Sequence, residues 1–364
     1  MKLKTGLVLL AALAAGTGAA AEPVKLVVGY QPYDTISYSA VVIRALELWK
    51  KHLPPGSEVE FQNALQGSII VNQMLANKQQ IGYLGDMPAV VATTKRSVAP
   101  IDLVANTGLS PGQRCNVIMV RADAPKFSSP QEAVRWLDGK TLATPQGSCA
   151  HRFLGLVIEI TKIKPAAILN QSIEVIATNL RAGKIDAAVL WEPSVSRIGD
   201  IVGEGVARIV ATGYTFGISD AGAIAMREDF IKARPDIVEA WLRTELEAQQ
   251  YVIDPKNWTR VAEFVKSQTA GITVPMAWFS IYGAIPPSAG GSPIRDEKPF
   301  VFDERVHKLL METYVYLRAA KVIDVDKPAS GALDDTMARK VAQAAGVTLP
   351  LGIIKAQDVS KMPK

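Results

Sequence analysis

Cysteine and histidine are scarce, two and three respectively in 364 residues. They are too widely spaced to make a zinc or iron set, so metal-centred chemistry is excluded as a reading. No phosphate-binding Walker motif occurs, which leaves any ATP hydrolysis to a separate chain. Charged residues make up only 21% of the chain, with a net charge of +5, and the basic ones are scattered. That pattern gives no nucleic-acid surface. Beyond the first residues no apolar run is long enough to span a bilayer. Gly108-Leu-Ser-Pro-Gly112 spells G-x-S-x-G, but a nucleophile elbow needs a helix directly after the serine. Pro111, Gly112 and a strand-like run follow instead, so this stretch reads as a loop.

The chain opens Met-Lys-Leu-Lys and then runs from Thr5 to Ala21 without a charge. A short apolar core, Leu7 to Ala15, and the small residues Ala19-Ala20-Ala21 read as a secretory signal peptide cut after Ala21. Loss of Lys2 and Lys4 leaves 38 basic against 35 acidic residues, a net of +3. The expected compartment is the periplasm. There, two thiols pair, so a Cys115–Cys149 disulfide is expected. A competing reading makes Cys149 a free nucleophile at a helix start, with His151 and Arg152 beside it.

From Lys25 the pattern alternates strand and helix. Strands read as Lys25–Tyr30, Glu58–Asn63, Ile81–Leu84 and Ile101–Asn106, and the alternation indicates parallel sheets flanked by helices. A second group follows, with strands at 168–171, 185–190 and 207–211. Helices read as Pro235–Val252, Pro255–Ser267 and Asp303–Ala320; 285–299 reads as a Pro/Gly-rich loop and the residues after Pro350 as a loosely held tail.

The stretch with most chemical content is Thr144-Pro-Gln-Gly-Ser-Cys-Ala-His-Arg152. A strand ends, the backbone turns at Pro145-Gln146-Gly147, and Ser148 is placed to cap the next helix. Gln66-Gly67-Ser68 and Gly85-Asp86-Met87-Pro88 repeat the arrangement, and Trp191-Glu192-Pro193-Ser194 opens another helix after a strand. Helix starts carry unpaired N–H groups and partial positive charge, and in open α/β sheets ligands gather at the carboxyl ends of strands. Several such starts meeting in one cleft would hold a small anion.

Gln66-Gly67-Ser68, Ile81-Gly-Tyr-Leu-Gly85, Pro145-Gln-Gly-Ser148, Gly183-Lys-Ile-Asp-Ala187 and Leu190-Trp-Glu-Pro193, in this order, resemble the periplasmic solute-binding proteins of ABC importers for taurine, aliphatic sulfonates and nitrate. The resemblance implies a two-lobe α/β fold of the type II periplasmic-binding-protein kind, each lobe a mainly parallel sheet flanked by helices, hinged about a cleft. It divides the chain into a leader (1–21), a first lobe (22–118), a second lobe (119–217), a return to the first (218–330) and a C-terminal extension (331–364). The implied cleft residues are Tyr33, Gly67, Ser68, Gly85, Asp86, Met87, Gly147, Ser148, His151, Trp191, Glu192 and Tyr214, with either acid free to pair with an amine on the solute. The implied partners are a small anionic solute, a membrane permease and its ATPase subunit. No cofactor is implied, and the protein is expected to be a monomer. The enzyme reading, on the same scaffold, resembles thiamine-pyrimidine synthases and a desulfinase.

Overall fold

The computed structural model describes residues 22–199 and 205–364; the leader reading over 1–21 lies outside the described residues. Four strands come first: β1 (Lys25–Tyr30), β2 (Glu58–Asn63), β3 (Ile81–Gly85) and β4 (Ile101–Ser110). The next five are β5 (Val117–Arg121), β6 (Thr141–Thr144), β7 (Ala167–Asn170), β8 (Ala187–Leu190) and β9 (Ala207–Thr212). The last three are β10 (Asp220–Arg227), β11 (Ile294–Lys298) and β12 (Gly352–Lys355). They form two sheets, one of seven strands in the order β12-β11-β4-β10-β3-β1-β2 and one of five in the order β7-β6-β8-β5-β9.

Both sheets are mixed rather than mainly parallel. β1 runs parallel to β2 and β3, but β10 is antiparallel to both β3 and β4. In the smaller sheet β6 is parallel to β7 and β8, while β5 is antiparallel to β8 and β9. β5 and β10, by which the chain enters the second lobe and returns from it, run antiparallel to their neighbours, and so does β11 to β4 and β12. β3 and β10 are buried along their whole length, because helices cover both faces, and β3 and the interior of β10 from Ala221 to Met226 read as unbroken apolar runs for that reason.

Helices α1 (Tyr38–Leu46), α2 (Gly67–Leu75) and α3 (Asp86–Thr94) belong to the first sheet; α4 (Pro130–Trp136), α5 (Cys149–Thr161), α6 (Ile173–Arg181) and the short α7 (Ser194–Ile198) follow in the second lobe. After β10 come α8 (Glu228–Ala233), α9 (Pro235–Ile253), α10 (Trp258–Gln268), α11 (Val274–Tyr282), α12 (Glu304–Ala319) and α13 (Thr336–Ala344). One face of the large sheet packs with Tyr38, Trp241 and Tyr282, the other with Met74, Val90 and Leu310. Phe153, Ile118 and Val189 belong to a separate core in the second lobe.

Two expectations are corrected here. The 285–299 stretch contains β11, and the segment after Pro350 is no loose tail. It carries β12, which pairs antiparallel with β11 and buries Ile354 completely.

The chain crosses between lobes at 110–117 and 212–220, and the two crossings are bonded to each other. Gly213 N–H donates to the carbonyls of Gly112 (2.6 Å) and Asn116 (2.8 Å), and Asn116 Nδ2 donates to Ile218 O at 2.9 Å. Gly112 sits at φ +99°, and a Cβ there would lie 2.2 Å from Ile218 O. Only glycine fits that close approach. Gly108, Leu109 and Ser110 of the G-x-S-x-G sequence belong to β4 and not to a loop; Ser110 Oγ accepts from Gly112 and Gln113 N–H at the turn that follows.

Candidate functional site

Three helix starts meet between the lobes. α2 begins after Gln66, so Gly67 and Ser68 form its first turn; α3 begins after Gly85; α5 begins after Ser148. Ser148 Oγ accepts from His151 N–H at 3.2 Å and donates to Pro145 O at 2.7 Å, which fixes the turn. A Cβ on Gly67 would come within 2.5 Å of Pro88 Cγ, so the first turns of α2 and α3 touch only because that side chain is missing. The first lobe lines the cleft with Gln31, Asp34, Gln66, Gly67, Ser68, Gly85 and Pro88; the second contributes Gln146, Gly147, Ser148, Cys149 and Trp191. They surround about 390 Å³ of empty space, solvent at the mouth included. Free N–H groups from separate helix starts give this space a positive potential suited to a small oxyanion.

The lobes touch across it. Trp191 Nε1 donates to Tyr33 O at 3.1 Å, Thr35 N to Glu192 O at 3.3 Å, and Arg152 Nη2 to Asp86 Oδ2 at 2.7 Å. Each bond joins a first-lobe loop or helix to the second lobe, so the lobes stand closed on each other.

No family model matches the chain. Over 249 residues it is 27% identical to the taurine-binding periplasmic protein of Escherichia coli (strain K12), covering 67% of this chain and 71% of the relative. The chain is a homologue of a periplasmic taurine-binding protein. Its fold also matches the alkanesulfonate-binding protein SsuA from Xanthomonas axonopodis pv. citri bound to MOPS, with a TM-score of 0.65, 19% identity, and coverage of 86% of this chain and 99% of that one. The periplasmic nitrate-binding protein NrtA from Synechocystis PCC 6803 gives a TM-score of 0.64, 14% identity and coverage of 89% of both chains. These structural likenesses establish the fold, that of periplasmic binding proteins.

Of the residues expected at the cleft of this homologue, Gly67, Ser68, Gly85, Gly147, Ser148 and Trp191 come together there. Ser68 does so without capping, since Gln66 holds the N-cap position. The rest lie elsewhere. Asp86 is fully buried, with Oδ1 accepting from Met87 N–H at 2.6 Å and Oδ2 from Arg152. Met87 points into the core between α2 and α3. Glu192 turns back to its own helix, accepting from Ser196 N at 2.9 Å and Oγ at 2.7 Å, with Arg295 at 3.7 Å. Burial pushes its carboxyl above the usual range, against the pull of Arg295. Neither acid is free for an amine. Tyr33 lines a neighbouring groove with Leu65 and Ile69, its hydroxyl accepting from Ala270 N–H at 2.7 Å. His151 is half-buried behind the turn, its Nδ1 accepting from Gly147 N–H at 3.4 Å, and burial lowers its pKa. Tyr214 is 48% exposed on the surface. Cys115 and Cys149 are joined in a disulfide, with Cα atoms 6.1 Å apart.

Gln31, Asp34, Gln66, Pro88 and Gln146 are cleft residues that sequence reasoning passed over. The strand-end rule applied to β1 would have found the first two, since their loop leaves its carboxyl end. Asp34 is the most consequential. Burial raises its pKa to about 7, opposed by Arg114 and the Ile36 N–H and reinforced by Asp220 and Asp86. Among the described residues no cluster of three metal-ligating side chains occurs.

Proposed function

We infer that this protein is the periplasmic solute-capturing component of an ABC import system, taking a small anionic solute of the sulfonate, taurine, sulfate-ester or nitrate type into the cleft between its lobes. The observation that carries this reading is the meeting of the α2, α3 and α5 starts at one space lined by both lobes. Backbone N–H groups and the Ser68 and Ser148 hydroxyls take the head group; Trp191, 3% exposed, packs on any organic tail. Only the closed arrangement touches solute from both sides, so binding favours closure. The closed monomer then docks on a membrane permease, whose ATPase subunit supplies the energy. Lobes spanning 22–118 with 218–330, and 119–217, are the bodies that move; export through the leader at 1–21 places them in the periplasm.

A melting shift with a panel of sulfonates, sulfate esters, nitrate and aromatic acids tests this. A true solute at 100 times its Kd adds about 2.7 kcal/mol, or about 4 °C for a chain of this length. If no member moves the transition, the anion assignment fails. The enzyme reading needs a free thiol at Cys149, and its sulfur is bonded to Cys115. Thiol titration of unreduced protein separates the two: two free thiols would support nucleophilic chemistry.

A further inference from the structure

The wall of the cleft contains a covalent bond that capture of an anion leaves unused. Cys149 is the first residue of α5 and lines the cleft. Its sulfur faces the first lobe: a Cβ on Gly85, at the start of α3, would meet Cys149 Sγ at 4.0 Å and, its chain neighbours aside, nothing nearer. The other sulfur belongs to a deeper residue. Cys115 is 2% exposed, against 7% for Cys149, and is not part of the cleft lining. It stands in the 110–117 crossing, where its N–H donates to Asp220 Oδ2 at 3.2 Å. Asp220 and Asp296 share Arg114 at 3.0 and 3.2 Å, and Asp296 also holds Lys298 at 2.6 Å. The disulfide therefore ties the α5 start, the second lobe's part of the anion site, to the buried ion pairs of the crossings.

We propose that this disulfide is a thiol–disulfide exchange site reached through the cleft, and that it makes solute capture depend on redox state. The effect on capture rests on the anion reading of the same cleft; access to the sulfur does not. The thiolate of a dithiol reductant attacks Cys149 Sγ, the sulfur on the cleft side, and the Cys115 sulfur leaves as a thiolate that takes a proton from solvent. The reductant's second thiol then attacks its own sulfur in the mixed disulfide. Cys149 is released as a thiol, and the reductant departs as its disulfide. Two electrons and two protons pass in all from the reductant to the protein. In the closed arrangement Cys149 is nearly buried with Gly85 facing it, so attack waits for the lobes to part. A solute that holds the lobes together guards the bond. Reduction in turn unties the α5 start and leaves there a sulfur whose thiolate competes with a bound anion for the same free N–H groups. The two effects are one linkage: a solute bound more tightly by the oxidised protein makes the disulfide harder to reduce by the same factor.

Reduction of the full chain by dithiothreitol, followed by thiol titration over time, tests this. Without solute, the rate is expected to be the same in 0 and 1 M urea, because parting of the lobes exposes little core surface. A sulfur reached only by unfolding would be reduced about 30-fold faster or more in 1 M urea. With taurine at 100 times the Kd that its melting shift gives, reduction slows about 100-fold. The reduced protein binds taurine at least about tenfold more weakly than the oxidised protein. If the reduced protein does not stay folded, the two rate measurements decide alone. A rate that climbs steeply with urea would overturn the proposal. So would taurine that moves the melt but not the reduction rate, or equal taurine affinity in the two redox forms; both leave the anion reading standing. If neither taurine nor any other member of the solute panel moves the melt, the anion reading fails and redox control of capture with it, while the urea measurement still decides whether the cleft admits the reductant.

Discussion

Replacing Asp34 by Asn should stabilise the solute-free protein, and do so more as pH rises. An Asp carboxyl ordinarily ionises near 3.8, and in the fold Asp34 does so at about 7, chiefly through burial. The native state holds the proton more tightly than the unfolded chain. The resulting stability is full below about pH 4 and is lost as pH climbs to about 7. Above that, the folded protein carries a charge that costs about 4 kcal/mol. Asn keeps the acceptor for the Ile36 N–H and removes the ionisation. Between pH 5 and pH 8 the variant's advantage should grow by about 3 kcal/mol, or about 4 °C in melting temperature. Urea unfolding of both proteins at the two pH values measures it. A stability difference that is the same at pH 5 and pH 8 would refute the reasoning, because it would show that Asp34 ionises alike in both states.

Three further outcomes are expected. Cys115 and Cys149 close a loop of separation 34. The chain-entropy relation gives about 4 kcal/mol for it, so the double Cys→Ala variant should melt about 5 °C lower, and an unchanged scan would contradict this. Gly67→Ala forces a methyl against Pro88 and should cost about 1–3 kcal/mol while weakening solute binding, read by the same melts with and without ligand. Arg152→Met strands the buried Asp86 carboxylate between the lobes and should cost about 3–5 kcal/mol, most of which a second change, Asp86→Asn, restores; equal stability of the single and double variants would sink that account.

The first four strands and the helix starts between them were legible because β1 and β3 are apolar runs bounded by turn residues. β11 was not, because its sequence, Ile294-Arg-Asp-Glu-Lys298, reads as a solvated loop. Arg295, Asp296 and Lys298 are instead buried in the ion-pair network of the crossings, which no local pattern announces. The same network explains the site residues that were misplaced. A carboxylate beside a Gly turn, such as Asp86 or Glu192, looks available until the long-range Arg152 or the Ser196 hydroxyl is seen to hold it. Met87 stands directly before the cleft residue Pro88 in α3, but one helical residue is a turn of about 100°, enough to send its side chain into the core. The backbone parts of the site were the legible parts, since helix starts depend on local turn chemistry.

The position of β10 bears on when the molecule can fold. It alone joins β3 to β4; without it, β12-β11-β4 and β3-β1-β2 share no hydrogen bond. A chain emerging from its N-terminus therefore holds β3-β1-β2 with β4 unpaired until the residues near 227 arrive, and β11 and β12 extend the sheet beyond β4 only later. Late completion of this kind makes a central strand, rather than the larger helices around it, the step that commits the large sheet to its final form.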